Sequence, residues 1–115
     1  MVVRQVEPDE VDRLFTALAD PTRRDILARV LTQTVSVSTL AASYEMSFAA
    51  VQRHVAVLER AGLVSKQPYG RERLVHGEVD TVRAAARLLD QYEDIWRGRI
   101  GRIEDVLADQ KGNDR

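Results

Sequence analysis

Residues 36–76 read SVSTLAASYEMSFAAVQRHVAVLERAGLVSKQPYGRERLVH. Ser36 is a favoured N-cap, and Val37, Leu40 and Ala41 follow it at helical spacing. This first helix is expected to end near Tyr44, with Ser47 capping a second. Met46 and Val51 stand at N′ and N4 about that cap, the spacing of a hydrophobic staple. Val51, Val55, Leu58 and Ala61 then line one face, and Gly62 stops the helix. Leu63–Gln67 and Glu72–His76 are strand candidates, with Pro68-Tyr69-Gly70-Arg71 as the turn between them. Two helices across a tight turn, followed by a hairpin, make a winged helix-turn-helix. In that arrangement the second helix can enter the DNA major groove.

Working outward, residues 8–19 place Val11, Leu14, Phe15 and Leu18 at i, i+3, i+4 and i+7, which predicts a helix. Asp20-Pro21 ends it and starts another, because Asp favours the N-cap and Pro the first helical position. Thr22–Leu31 carries Ile26, Leu27, Val30 and Leu31 inward and leaves Arg23, Arg24 and Arg29 outside. Gln33–Val35 reads as a linker. After the hairpin, Asp80 is expected to cap a long helix reaching about Asp109. There Val82, Leu89, Trp96 and Ile103 recur every seven residues, with Ala86, Ile100 and Leu107 beside them. A stripe of this length points to packing against a second subunit; a helix lying across its own domain is the plainer alternative. Gly98 and Gly101 each weaken the helix by about 1 kcal/mol relative to Ala and suit a bend or a close approach. Lys111–Arg115 reads as a frayed tail. The expected fold is mainly α with a small β-hairpin wing and about five helices. It forms one domain over 1–115: helix-turn-helix 36–61, wing 63–76 and C-terminal helix 80–109.

At 115 residues with 44% hydrophobic content, the chain suits a single globular domain. It has no cysteine, which excludes disulfides, thiolate metal sites and a thiol switch, and which fits a cytoplasmic address. MVVRQVEPDEVD has acids where a signal peptide needs an apolar run. No apolar stretch approaches the roughly 20 residues of a membrane span, so no membrane partner is expected. The net charge of −1 hides a regional split. Residues 1–46 carry five Arg against seven acids, and residues 78–109 five Arg against eight. Residues 47–76 carry five cations, Arg53, Arg60, Lys66, Arg71 and Arg73, against Glu59 and Glu72. Positive charge is thus gathered on the second helix and wing, where phosphate contacts would be local. A solvated surface of mixed charge fits the totals equally.

On the second helix, Phe48, Ala49, Gln52, Arg53 and Ala56 fall opposite Val51, Val55 and Leu58, with Ser47 at the entry. Gln52 suits adenine N6/N7, and Arg53 suits guanine O6/N7 or a phosphate. Ala49 and Ala56 permit close approach and can touch a thymine methyl. Phe48 suits a sugar or methyl, or folds back on the preceding turn. His54, at the edge of the buried face, reads as a hydrogen-bonded structural imidazole. In the wing, Arg71 and Arg73 alternate with Glu72 and Leu74 and should share a strand face, in reach of the minor groove or phosphates. Lys66 and Gln67 are weaker candidates, and an ordinary polar hairpin is the bland alternative. Trp96 with Tyr92 and Ile100 reads as subunit contact in preference to a ligand box. No nucleophile–base pair, glycine-rich phosphate loop or metal cluster is present, so neither an enzyme nor a cofactor is expected. The competing reading is a winged-helix module that docks a protein and never binds DNA.

FTALADPTRRDILARV, VSTLAASYEMSFAAVQRHVAVLERAGLV and GRERLVH, in this order, resemble the ArsR-type winged-helix transcriptional repressors of bacteria. The resemblance spans roughly residues 10–109. The ending YEDIWRGRIGRIEDVL is similar to a subgroup lacking the metal-sensing cysteines. The resemblance implies a homodimer held by the first and last helices, which here offer Leu14, Phe15, Leu89, Tyr92, Trp96, Ile100 and Ile103. It also implies a double-stranded operator of imperfect dyad symmetry and repression of the protein's own operon. The sequence departs from the metal sensors. Their thiolate site would fall at Ser36–Ala42, where Ser, Val, Thr, Leu and Ala stand instead. The final helix has carboxylates without histidine, whereas zinc, copper and nickel prefer N and S donors. No metal is therefore expected, and the effector is left open.

Overall fold

The computed structural model describes residues 7–113. The chain divides into two compact units, Met1–Ala85 and Ala86–Arg115. The first holds α1 (Pro8–Leu18), α2 (Pro21–Thr32), β1 (Val35–Ser36), α3 (Val37–Ala42), α4 (Phe48–Arg60), β2 (Val64–Tyr69), β3 (Glu72–Gly77) and the start of α5 (Val79–Asn113).

Local chemistry sets the helix starts. Asp20 Oδ2 accepts from the Arg23 amide at 3.0 Å, Ser36 Oγ from Thr39 at 3.1 Å and Ser47 Oγ from Ala50 at 3.1 Å. Each is a side-chain N-cap satisfying an amide that the helix itself leaves unpaired. Met46 packs on the core beside the third cap, as a staple requires. At the far end of α4, Leu63 N–H donates to Leu58 O and Gly62 N–H to Glu59 O, both at 3.0 Å. That pair of bonds is a Schellman motif, and it turns the chain through Gly62 at φ +75°.

The core of the first unit is built from Leu14, Ile26, Leu40, Val51, Val55, Leu58, Leu63 and Val75, with smaller residues between them. Leu14, expected at a subunit contact, is only 2% exposed and has hardly any surface to offer a partner. Leu31 was expected inward; it is 42% exposed and lies over β3, where a Cβ on Gly77 would come within 2.7 Å of its Cδ2.

The sheet has three strands in the order β1-β3-β2. The expected linker supplies β1, whose Val35 and Ser36 pair with Val75 and Leu74. β2 and β3 pair from Val64↔Gly77 to Tyr69↔Glu72, so the connection is the dipeptide Gly70-Arg71 and not the expected four residues. Gly70 has φ +60°, and among the described residues only glycines have positive φ, so Arg71 does not; that is the pattern of a type II′ hairpin turn. Pro68 is tolerated within β2 because this is an edge strand, where a missing N–H breaks no ladder.

α5 begins at Val79, so Asp80 lies inside its first turn, 3.6 Å from Arg83, and is not the cap. Val82 packs on the core of the first unit. In the second unit the helix runs through Gly98 and Gly101 to Asn113, four residues beyond the expected end at Asp109. The rest of the expected frayed tail, Asp114 and Arg115, lies outside the described residues. Leu89, Tyr92, Ile95, Trp96, Ile103, Val106 and Leu107 are exposed, Trp96 by 59%. Arg97 pairs with Glu93 one turn away, and that carboxylate raises the guanidinium's pKa further.

Candidate nucleic-acid interface

Burial of Val51, Val55 and Leu58 orients α4 and leaves the opposite arc to solvent. Ala49, Gln52 and Arg53 are exposed, and Phe48 is 48% exposed. Ala56 is half-buried, at the margin of the expected arc and not within it. The Ser47 oxygen is engaged as the cap, which leaves its hydroxyl proton available at the helix entry. Arg53 Nε donates to its own helix at Ala49 O, 3.4 Å away, so the guanidinium lies along α4 until something draws it outward.

A cleft of about 400 Å³ separates this helix from the wing. Phe48, Gln52 and Val55 line one wall, Lys66, Arg71, Glu72 and Arg73 the other, and Val37 and Ser38 the end at α3. Arg71 belongs to the turn and Glu72 lines the same space as Arg73. Arg71 and Arg73 thus border one cleft, as expected, and Glu72 borders it with them. Lys66 Nζ is 3.4 Å from Glu59 Oε1 of α4, so its charge is partly met within the protein. Ser38 escaped sequence reasoning because it reaches this cleft only through the packing of α3 on α4.

Two side-chain clusters hold the helix-turn-helix in place. Arg23, expected outside, is half-buried. Its Nε donates to Ala17 O at 2.8 Å and its Nη2 to Thr16 O at 2.9 Å. Arg24 Nη1 takes Leu18 O at 2.7 Å. Thr16 O also accepts from the Ala19 amide at 3.3 Å, whereas carbonyls in the last turn of a helix have no intrahelical donor of their own, and a cation there also meets the negative end of the helix dipole. The remaining Arg23 nitrogen, Nη1, lies 3.2 Å from His54 Nδ1 on α4. Arginine only donates, so Nδ1 accepts and the imidazole proton sits on Nε2. His54 is thus a structural hydrogen-bond partner, as its position on the helix suggests. Asp20 stands 3.9 Å from the same nitrogen. Its carboxyl is held below the usual carboxylate range, first by the hydrogen bond from the Arg23 amide and further by the Arg23 charge, against the opposing effect of desolvation.

The second cluster ties the turn to α2. Tyr44 donates its hydroxyl to Asp25 Oδ2, Arg29 lies over its ring at 5.1 Å, and Arg29 pairs with Asp25 at 3.2 Å. Burial, reinforced by Asp25, pushes the phenol up to about 12. In the sheet, His76 joins all three strand regions. Its Nδ1 is 2.9 Å from Thr34 Oγ1 and its Nε2 3.1 Å from Gln67 Oε1. No described helix is long and apolar enough to cross a membrane.

Comparison with known proteins agrees with this geometry. A helix-turn-helix domain family matches residues 18–67, the span from the end of α1 into the wing. The HTH-type transcriptional regulator Rv2034 of Mycobacterium tuberculosis is 35% identical over 104 residues, covering 90% of this chain and 92% of the relative. Among solved structures, an ArsR-like transcriptional regulator from Rhodococcus sp. RHA1 superposes with a TM-score of 0.76 at 30% identity, covering 85% of this chain and 92% of that one. The homodimeric winged helix-turn-helix domain of Mb0332 from Mycobacterium bovis shares the fold with a TM-score of 0.61. It is 23% identical, covering 75% of this chain and 81% of that one.

Proposed function

The chain belongs to the ArsR-type winged-helix transcriptional regulators, which are DNA-binding proteins, and from this we propose that it is a homodimeric repressor reading a dyad-symmetric operator. The observation that carries the proposal is the open arc of α4, facing solvent beside a cleft whose far wall is basic. Gln52 and Arg53 offer the two side chains best suited to purine edges in the major groove. In this reading Lys66, Arg71 and Arg73 would meet phosphates, and Ser47, Phe48, Ala49 and Ala56 would make close contact with sugar and methyl groups. The two arginines of the wing and Arg53 suit a nucleic acid better than a docked protein, whose contact face would be more apolar.

The exposed apolar residues of α5 support assembly as a homodimer, with Phe15 of α1 contributing; the Mycobacterium bovis relative is itself described as homodimeric. A regulator acting on DNA would work in the cytoplasm, and repression of its own operon is the simplest circuit. Selection of bound sequences from random DNA with purified protein tests the proposal. The expected product is an inverted repeat whose half-site centres are about one helical turn, or a multiple of it, apart. Enrichment of a single unrepeated half-site would remove the dimeric reading, and no enrichment would remove sequence-specific recognition.

A further inference from the structure

A groove between α1 and the C-terminal half of α4 has no part in the DNA face. It encloses about 280 Å³ and is lined by Asp12, Arg13 and Thr16 from α1 and by Val57 and Arg60 from α4. Val57 packs against the core and supplies an apolar floor, which the methylene stems of the two arginines extend. Among the described residues no ion pair or hydrogen bond engages the guanidinium of Arg13 or of Arg60. Asp12 lines the same groove without pairing to either. Two cations from two different helices, offset in part by one carboxylate, therefore face this groove over the Val57 floor.

That combination selects a ligand class. Planar guanidinium forks match a carboxylate, which bridges both helices and relieves the repulsion between the two charges. The floor calls for an apolar body, and the volume accommodates roughly six to ten carbons, near the small end of ligand pockets. Asp12 disfavours dianions and polyanions, a nucleic-acid backbone among them. At 3.6 residues per turn, Arg13 stands about 160° from Phe15 around α1, so the arginine itself points away from the Phe15 surface proposed for the partner subunit. It also abuts the reading helix directly. Thr16, on its α1 wall, gives its carbonyl to Arg23, which reaches His54 one turn before Val57.

We propose that this groove binds a monocarboxylic acid with a compact apolar body, its carboxylate held between Arg13 and Arg60 and its tail on Val57. Octanoate is the probe, titrated calorimetrically into the full chain below its micellar concentration, with 1-octanol as the uncharged comparison. Saturable binding of one octanoate per chain is expected, with octanol binding much more weakly. Losing one charge-assisted contact should weaken octanoate about tenfold, so Arg13→Gln and Arg60→Gln should each do this. Arg60→Lys, which keeps the charge without the fork, should fall between. Circular dichroism of each variant confirms that it is folded, and Arg97→Gln on α5 should bind as the parent does. Absence of saturable binding at millimolar octanoate overturns the proposal. So does binding that survives both groove substitutions, which would indicate adsorption on the exposed apolar residues of α5. DNA retention measured without the acid reports separately on the regulator reading, so the two can fail independently.

Discussion

Arg53 and Arg71 stand on different elements and should divide the work of recognition. Arg53 lies on the exposed arc of α4, folded along its own helix and able to swing out to a base edge. Arg71 lies in the hairpin turn, across the cleft. Replacing a bidentate guanine contact costs about 1–3 kcal/mol and relaxes preference at one position, whereas losing a phosphate contact weakens all sequences and lowers the salt slope by about one. Arg53→Ala should therefore lower specificity and Arg71→Ala affinity, measured on operator and scrambled DNA across a salt series. Equal weakening of both DNAs by Arg53→Ala would make Arg53 a phosphate anchor and leave Gln52 as the base reader. Asp20 carries a second prediction. Its carboxyl is depressed in the folded state, so its stabilising effect is present above the unfolded value near 3.9 and fades as pH falls through the lower folded value. Asp20→Ala should lower the melting temperature at neutral pH, with the gap to the parent closing below about pH 4. A gap that persists in acid would mean the carboxylate charge is irrelevant to the cap. The cap itself was legible from Asp20-Pro21 because N-capping spans only four consecutive residues. The burial of Arg23 was not legible, since its partners Thr16, Ala17 and His54 are assembled by the packing of three helices.

The helix-turn-helix and the wing are joined through one residue, Gly62. The Schellman bonds at the end of α4 require its positive φ, and a Cβ there would also meet Thr81 Oγ1 at 3.3 Å. Gly62→Ala should destabilise the fold by about 1 kcal/mol or more, since alanine at positive φ is strained. Chemical denaturation measures this directly, and a neutral result would show that the turn relaxes to another conformation. Gly62→Asn, better tolerated in this region, should lose less. Most elements with a local signal were read correctly, namely the two capped helices, the staple and the glycine stop, but Asp80 was read as a cap and lies one position inside α5. The wing was legible in kind, but its turn was placed two residues too wide. Pro68 reads as a turn residue locally, and only its position on an edge strand lets it pair. β1 was missed because two residues carry no periodicity, and its partners lie about forty positions further along the chain.

For the molecule as a whole, the exposed face of α5 is the feature that a single protomer leaves unexplained. Trp96, Leu89 and Ile103 are the heptad residues of that face. Replacing Trp96 and Ile103 together with Glu should convert a dimer into monomer, read by light scattering at micromolar concentration. A parent protein that is already a stable monomer under those conditions would remove the dimeric proposal. Regulation should also be independent of transition metals. His54 is engaged by Arg23 and His76 by Thr34 and Gln67, on separate elements of the fold. One equivalent of zinc, copper or nickel should therefore leave DNA affinity unchanged. A loss of affinity that saturates at one metal per subunit would reveal a site made from carboxylates or between subunits.

By itself the sequence determined the order of elements, the placement of Ser36, Asp20 and Ser47 as caps, and the face of α4 left to solvent. These follow from hydrogen bonds and periodicities spanning a few residues. The heptad stripe of α5 was equally legible, because a helix displays its surface in its own sequence. Only the tertiary structure decided which residues meet across elements. It buried Leu14 in the protomer's own core, placed Leu31 over Gly77 and half-buried Arg23 against the end of α1. It also gathered Ser38, Gln52, Lys66 and the wing arginines around one cleft, and Arg13 with Arg60 around another. Those neighbours are set by how helices pack and strands pair across tens of residues, and no local pattern encodes that distance.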